Sequence, residues 1–304
     1  MTPSTGTEDG RIAWSPMTDS VRPAQPAGAE PRVVVALATY GRPDCLRLIL
    51  PLLAVQAASL TPPAAVLVVD NNPRGDARDL VYELGNGEFK YHHEPEPGIS
   101  AARNRALDES SEFDLLVFID DDETPGQDWL RTLVDCWIEA PVAAVTGPVV
   151  PLFEGTLDPW VDGTGVFSRR VLATGAQLRG AASNNLLLNL HVMREGGYRF
   201  DERFGLSGGS DSMLTYSMVA DGHQIRWCDE AEVVDIIPAS RMTRTWVIRR
   251  TIRTSNGWTR ARLLLKPAGY SRMMARLDLA VRASKRVGCG AAIGASGVIR
   301  RNIL

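Results

Sequence analysis

The stretch Leu115-Leu116-Val117-Phe118-Ile119-Asp120-Asp121-Asp122-Glu123 runs five apolar residues directly into four acids. Such a run reads as a strand buried on both faces, the kind found inside a parallel sheet. Three successive carboxylates at its end repel one another and resist losing water. A divalent cation removes both difficulties, because hard ions such as Mg2+ or Mn2+ take oxygen ligands and keep positions open for phosphate oxygens. If the extended conformation continues, Asp120 and Asp122 face one way and Asp121 the other. The competing reading is an acidic surface turn behind a core strand.

On either side the chain repeats a strand and helix rhythm. Val33 to Ala38 is a first buried strand, ending in the turn Thr39-Tyr40-Gly41-Arg42-Pro43. Leu46, Ile49, Leu50 and Leu53 keep helical spacing, with Pro51 expected to kink or split that helix. Val66 to Val69 is a second strand stopping at Asp70, and Asp76 is placed to cap a short helix through Leu84. Phe89 to His92 is a third. Ser100 is the expected N-cap of a helix through Leu107. After the acidic run, Trp129, Leu130, Leu133, Val134 and Trp137 share one helical face. The alternation predicts an open α/β sheet of Rossmann type, mostly parallel and flanked by helices. Ligands bind such sheets at the carboxyl ends of the strands, where Thr39, Asp70 and Asp120 to Asp122 all fall.

The second half predicts a mixed arrangement. Val142 to Val145, Leu186 to Leu190, Ile225 to Trp227 and Val233 to Ile237 read as strands. The glycine-rich loop region through Arg179 suits a lid or an acceptor platform. Gly208-Gly209-Ser210-Asp211 precedes a helix from Ser212 to Ala220, with Asp211 available as its N-cap. The expected organisation is a disordered leader over 1–32, a catalytic body over 33–240 divided near 147, and a basic helical tail over 241–304.

Charge is divided along the chain. From Arg241 to Leu304 there are 15 Lys and Arg and one acid, leaving 18 bases against 35 acids upstream. A tail of this kind meets an anionic substrate, a membrane surface or the acidic body itself, and all three remain open. Cys45, Cys136, Cys228 and Cys289 form no Cys-x-x-Cys pair, so reduced thiols are expected rather than a zinc site or disulfide framework. The start lacks a basic segment followed by an apolar run, and no apolar stretch is long enough to span a bilayer. The expected location is cytoplasmic, with peripheral contact at the inner face of the membrane through the basic tail. The acidic body and the lack of any known fingerprint argue against nucleic acid.

Five pieces in order, Ala-Thr-Tyr-Gly-Arg-Pro, Val-Val-Asp-Asn-Asn, Gly-Ile-Ser-Ala-Ala-Arg-Asn, Phe-Ile-Asp-Asp-Asp and Gly-Gly-Ser-Asp, resemble the family 2 glycosyltransferases, whose fold is called GT-A. The resemblance covers roughly Arg32 to Arg260. It implies a Mn2+ or Mg2+ enzyme that transfers a sugar from a nucleoside diphosphate, most often UDP, to a hydroxyl acceptor. Thr39 and Asp70 would hold the base, and Arg103 would approach the nucleotide. Asp120 and Asp121 would touch the ribose or donor sugar, with Asn185 near the sugar pocket. Asp122 would bind the metal, supported by Asp120 and by Asp235, which stands where many relatives place a histidine. Asp211 lies where the family places its general base.

The sequence departs from the family at Ser210 and Met213, where relatives carry glutamates, which leaves Asp211 without its usual carboxylate neighbours. Asp235 reads equally as a buried ion-pair partner. Two other functions fit parts of the pattern: a sugar-1-phosphate nucleotidyltransferase, for which the Thr39 to Arg42 turn is a poor phosphate loop, and a non-catalytic sugar-nucleotide binder. Acceptors compatible with the chain are a cell-envelope glycan, a lipid-linked glycan and a small secondary metabolite.

Overall fold

Apolar runs sealed on both sides make the first layer of the structure. In the computed structural model, which describes residues 30–169, 171–205, 208–264 and 273, the strands are β1 (Val33–Thr39), β2 (Ala65–Asp70), β3 (Lys90–His93), β4 (Leu115–Ile119), β5 (Glu123–Pro125), β6 (Ala144–Thr146), β7 (Val149–Phe153), β8 (Gln177–Leu178), β9 (Asn185–Asn189), β10 (Ile225–Trp227) and β11 (Val233–Ile237). The α-helices are α1 (Pro43–Ala58), α2 (Arg78–Leu84), α3 (Ile99–Asp108), α4 (Trp129–Glu139), α5 (Pro159–Gly163), α6 (Leu190–Glu195), α7 (Ser210–Ala220) and α8 (Arg244–Leu264).

Eight strands form the main sheet in the order β3-β2-β1-β4-β9-β6-β10-β8. β1 lies between β2 and β4, parallel to both, with Val35 opposite Val66 and Val117. Successive side chains of a strand leave opposite faces of the sheet. Val33, Val35 and Leu37 therefore join Leu115, Val117 and Ile119 in the core beneath α1 and α4. Val34 and Ala36 join Leu116 and Phe118 in a second core with Ala102 and Ala106 of α3. The opening run is thus a central strand covered on both faces, and all five of its residues are buried.

The sheet is mixed in its second half. β9 enters antiparallel between β4 and β6, while β6 and β10 are parallel. A smaller sheet, β5-β11-β7, stands at the end of β4.

Several expected local features differ for identifiable reasons. α1 continues through Pro51, because the proline and Arg47, whose carbonyl it leaves without a donor, both lie on the solvent side. β3 begins at Lys90 rather than Phe89, which is buried in the core beneath α1 instead. Gly98, not Ser100, precedes α3, and Ala77, not Asp76, precedes α2; Asp76 accepts from Asn72 instead. Asp211 is not the N-cap of α7. Gly208 and Gly209 hold φ at 78° and 101°, a region glycine enters without strain, and α7 starts at Ser210, leaving Asp211 in its first turn.

The start of the basic segment is docked. Val247 of α8 is buried with Val161, Phe167 and Ile237, and Trp246 stacks on Phe167 with centroids 5.9 Å apart. The loop region after β7 is thus partly a packing platform for α8. Residues 1–29, and the expected basic helical tail beyond Leu264 apart from Met273, lie outside the described residues. Among the described residues no helix is long and apolar enough to cross a membrane.

Leu116 is fully enclosed between β1, β9 and the second core. Leu116→Ala should lower unfolding stability by about 2–5 kcal/mol, through lost apolar contact and a residual cavity. A urea midpoint that shifts with an unchanged slope would confirm it.

Candidate active site

β4 ends at Ile119, and the chain turns at once. Asp121 and Asp122 lie in that turn, and Glu123 starts β5. The expected alternation of Asp120 and Asp122 against Asp121 therefore does not hold. Asp121 and Asp122 instead share one cation: Arg42 Nη1 donates to Asp121 at 2.8 Å and to Asp122 at 3.0 Å. Thr39, at the end of β1, donates its hydroxyl to the other Asp121 oxygen at 2.8 Å. Arg241 reaches Asp122 from the far end of the body, at 3.1 Å. Arg103, projecting from α3, approaches Asp120 at 3.5 Å and lies over the Phe200 ring.

The return of the chain as β5 brings in a further carboxylate. Glu123 stands opposite Asp235 of β11 in an antiparallel register. Its side chain is buried, accepting from Asn184 Nδ2 at 2.6 Å and from the Asp120 amide at 3.2 Å. Asp235 pairs with Arg169 at 3.3 Å, so the ion-pair reading of this residue describes the structure as it stands.

Crowding sets the electrostatics. Burial, only partly offset by Arg103, pushes the Asp120 carboxyl up to about 6, and the charges of Asp122, Asp121 and Asp211 add to the rise. Solvent reaches 43% of its side-chain surface, so the carboxyl is accessible yet closely surrounded by protein. Glu123 is pushed well above the usual carboxylate range by burial and by Asp120. Burial also raises Asp121 and Asp235, against the pull of Arg42 and Arg169 respectively. Asp211 is near enough for its charge to act on Asp120, and its Oδ1 accepts from the Ser212 amide at 2.6 Å. Distant segments thus bring Thr39, Arg103, Asp120, Asp121, Asp122, Asp211 and Asp235 into one neighbourhood.

Two expected site residues are engaged elsewhere. Asp70 is fully buried, and its carboxylate accepts from the amides of Asn72 and Ala77 and from the Tyr91 hydroxyl. It organises the turn after β2. Asn185 is also buried, accepting from the Trp129 indole and donating to the carbonyls of Pro148 and Ala231. Its neighbour Asn184 is the one that meets the acidic run. Sequence reasoning gave no site role to Arg42, Arg241, Arg169 or Glu123. The available signal was charge: a buried strand ending in acids needs cations, and arginine supplies them as well as a metal does.

Among the described residues no three His, Cys, Asp or Glu side chains are arranged to hold a metal ion by themselves. The donor set still suits a hard divalent ion. Mg2+ and similar ions are commonly held by one or two carboxylates, with water and substrate phosphates completing the shell. Asp120 and Asp122 would supply such a pair, and a cation between them would relieve the mutual repulsion felt at Asp120.

The acids and arginines gather at the carboxyl ends of the central strands, where open α/β sheets bind their ligands. The chain belongs to the family described as Glycosyl transferase family 2, matched over residues 34–191. It is 31% identical over 271 residues to the succinoglycan biosynthesis protein ExoM of Rhizobium meliloti, covering 88% of this chain and 86% of that one. Solved structures share the fold at lower identity. The mannosyltransferase PcManGT from Pyrobaculum calidifontis, in complex with GDP-Man and Mn2+, aligns with a TM-score of 0.58 and 17% identity over 90% of this chain and 76% of that one. TarS 1-349 of S. aureus, in complex with UDP, aligns with a TM-score of 0.56 and 13% identity over 79% of this chain and 68% of that one. The protein is a glycosyltransferase of the GT-A fold.

A carboxyl whose proton is held more tightly in the folded chain contributes stability that is lost as pH rises from about 4 to about 6. Asp120→Asn, measured in EDTA, should therefore be more stable than the parent at pH 7, by about 1 kcal/mol after allowance for solvent screening. The melting-temperature gap should be a few degrees at pH 7 and close near pH 4.

Proposed function

We propose that this glycosyltransferase moves a sugar from a nucleoside diphosphate, UDP in the simplest case, to an acceptor hydroxyl, with inversion at the anomeric carbon. The observation that carries the reading is the gathering of Asp120, Asp122 and Asp211 at the end of β4, with Arg103 beside them. Asp122 and Asp120 would hold a divalent cation, Mn2+ or Mg2+, which supplies neutralisation of the charge developing on the diphosphate. The nucleotide complexes of PcManGT and TarS support the donor class, and the Mn2+ of the former supports the metal.

The protein's own residues divide the remaining work. Thr39 and Arg42 fix Asp121, and Arg42 and Arg241 hold Asp122. When the diphosphate arrives, those guanidiniums are available to its oxygens, for which their planar forks are suited. Arg103, packed on Phe200, lies ready for the nucleotide. Asp211 takes the proton of the acceptor hydroxyl as that oxygen attacks from the face opposite the leaving group. A single displacement needs no enzyme nucleophile. Kinship with ExoM supports a glycan under assembly as the acceptor.

Two variants separate binding from transfer. Asp122→Ala should weaken Mn2+-dependent UDP binding by about tenfold or more, as expected for loss of a charged ligand. Asp211→Asn should bind UDP normally and transfer sugar about a hundredfold more slowly, the lower range for a lost general base. Normal transfer by Asp211→Asn would remove its assignment, and UDP affinity indifferent to EDTA would remove the metal.

A further inference from the structure

Both backbone polar groups of Asp120 are taken up by Glu123. The Asp120 carbonyl accepts the Glu123 amide at 3.2 Å, and the Asp120 amide donates to Glu123 Oε2 at 3.2 Å. The other Glu123 oxygen, Oε1, accepts from Asn184 Nδ2 at 2.6 Å. Only 4% of Glu123 is exposed, so its carboxyl is enclosed with these two donors and is not presented to solvent.

Each half of this arrangement rests on an independently fixed element. Glu123 is in register with Asp235 across β5 and β11. Asn184 directly precedes Asn185, which pairs with Ile119 at the end of β4 and is tied to the Trp129 indole and to the carbonyls of Pro148 and Ala231. The Asn184 amide therefore reaches Glu123 from a strand whose position other contacts determine.

The turn needs such support. Asp120, Asp121 and Asp122 repel one another, and opening the turn would separate them. Arg42 and Arg241 hold Asp122, whereas Arg103 comes no nearer to Asp120 than 3.5 Å. The place of Asp120 is thus set through its backbone, by hydrogen bonds that hold the turn closed.

We propose that Asn184 and Glu123 are a positioning pair, which keeps the Asp120 carboxylate in place to meet one divalent cation together with that of Asp122. This rests on the cation reading above. Neither side chain of the pair touches the cation. Groups that orient metal-ligating carboxylates in this way commonly change metal affinity by about 10- to 100-fold.

The test follows free Mn2+ by electron paramagnetic resonance as the ion is titrated into the full chain with UDP saturating. Glu123→Gln replaces one of the two acceptors with a donor and should weaken Mn2+ binding by about tenfold. Asn184→Ala leaves Glu123 in place and should weaken it in the same direction. Asn184→Asp sets two carboxylates face to face and should weaken it as well. The double variant Glu123→Gln/Asn184→Asp reverses the hydrogen bond between the two side chains and keeps an acceptor for the Asp120 amide. It restores the parent's formal charge and should bind Mn2+ within about threefold of the parent.

Should Glu123→Gln fold poorly by melting temperature, Asn184→Ala carries the test. Unchanged Mn2+ affinity in the single variants overturns the proposal, as does a double variant no better than either single one. Tighter Mn2+ in Asn184→Asp with no change in Asn184→Ala would show that charge acts and position does not, and also overturns it. A parent chain that takes up no Mn2+ beside UDP sinks the cation reading, and the pair with it. Parent binding with indifferent variants removes the pair alone.

Discussion

The structure depends on a buried strand that must end on charge. β4 is sealed on both faces, and its continuation delivers four acids to a partly enclosed place. Carboxylates there are tolerable only with counter-charge, since an unpaired buried ion costs several kcal/mol. The chain draws that charge from well-separated segments: Arg42 after β1, Arg103 on α3 and Arg241 before α8. Each of these ties an outlying element to the same point, so the acidic run acts as a clasp as well as a site.

That clasp explains the division of charge along the chain. With 18 bases facing 35 acids, the residues before Arg241 cannot balance their own carboxylates. The first basic residues of the tail supply part of the difference: Arg241 meets Asp122, and Arg244 meets Asp158 beneath Trp160. For Arg241 and Arg244, the anionic partner is the body. Apolar contact fixes the arrangement, because Val247 and Trp246 anchor α8 against Phe167 and Ile237. Charge alone would leave the helix free to slide, whereas burial of those side chains sets its register.

What the sequence disclosed follows from the range of the signal. β1, β2 and β4 were legible as apolar runs, because burial on both faces writes itself into consecutive residues. The antiparallel entry of β9 was not legible, since partner choice is decided across the sheet and not within the strand. The convergence of Thr39, Asp121 and Asp122 followed from their place at strand ends. Asp70 and Asn185 show the limit of that rule. A polar residue at a strand end can turn inward and satisfy backbone groups, and nothing in its neighbours along the chain announces which way it faces. The arginines were missed for a related reason: an acidic cluster states that a cation is needed, not which cation.

On the proposed mechanism, arginine and metal are alternative answers to one electrostatic demand, and their coexistence couples the ligands. A bare cation approaching Asp122 competes with Arg42 and Arg241 for the same carboxylate. A diphosphate arriving alone finds guanidiniums already committed to carboxylates. With both bound, Asp122 would hold the cation and Arg42 and Arg241 would turn to the diphosphate, so that neither partner would be left unpaired in a poorly solvated place. Each ligand would therefore strengthen the other by the same factor, as linkage requires. The loss of the relatives' glutamates at Ser210 and Met213 fits this economy. Among the described residues the Asp211 carboxylate accepts from the Ser212 amide and has no arginine partner, which on this mechanism would leave it open to an acceptor hydroxyl.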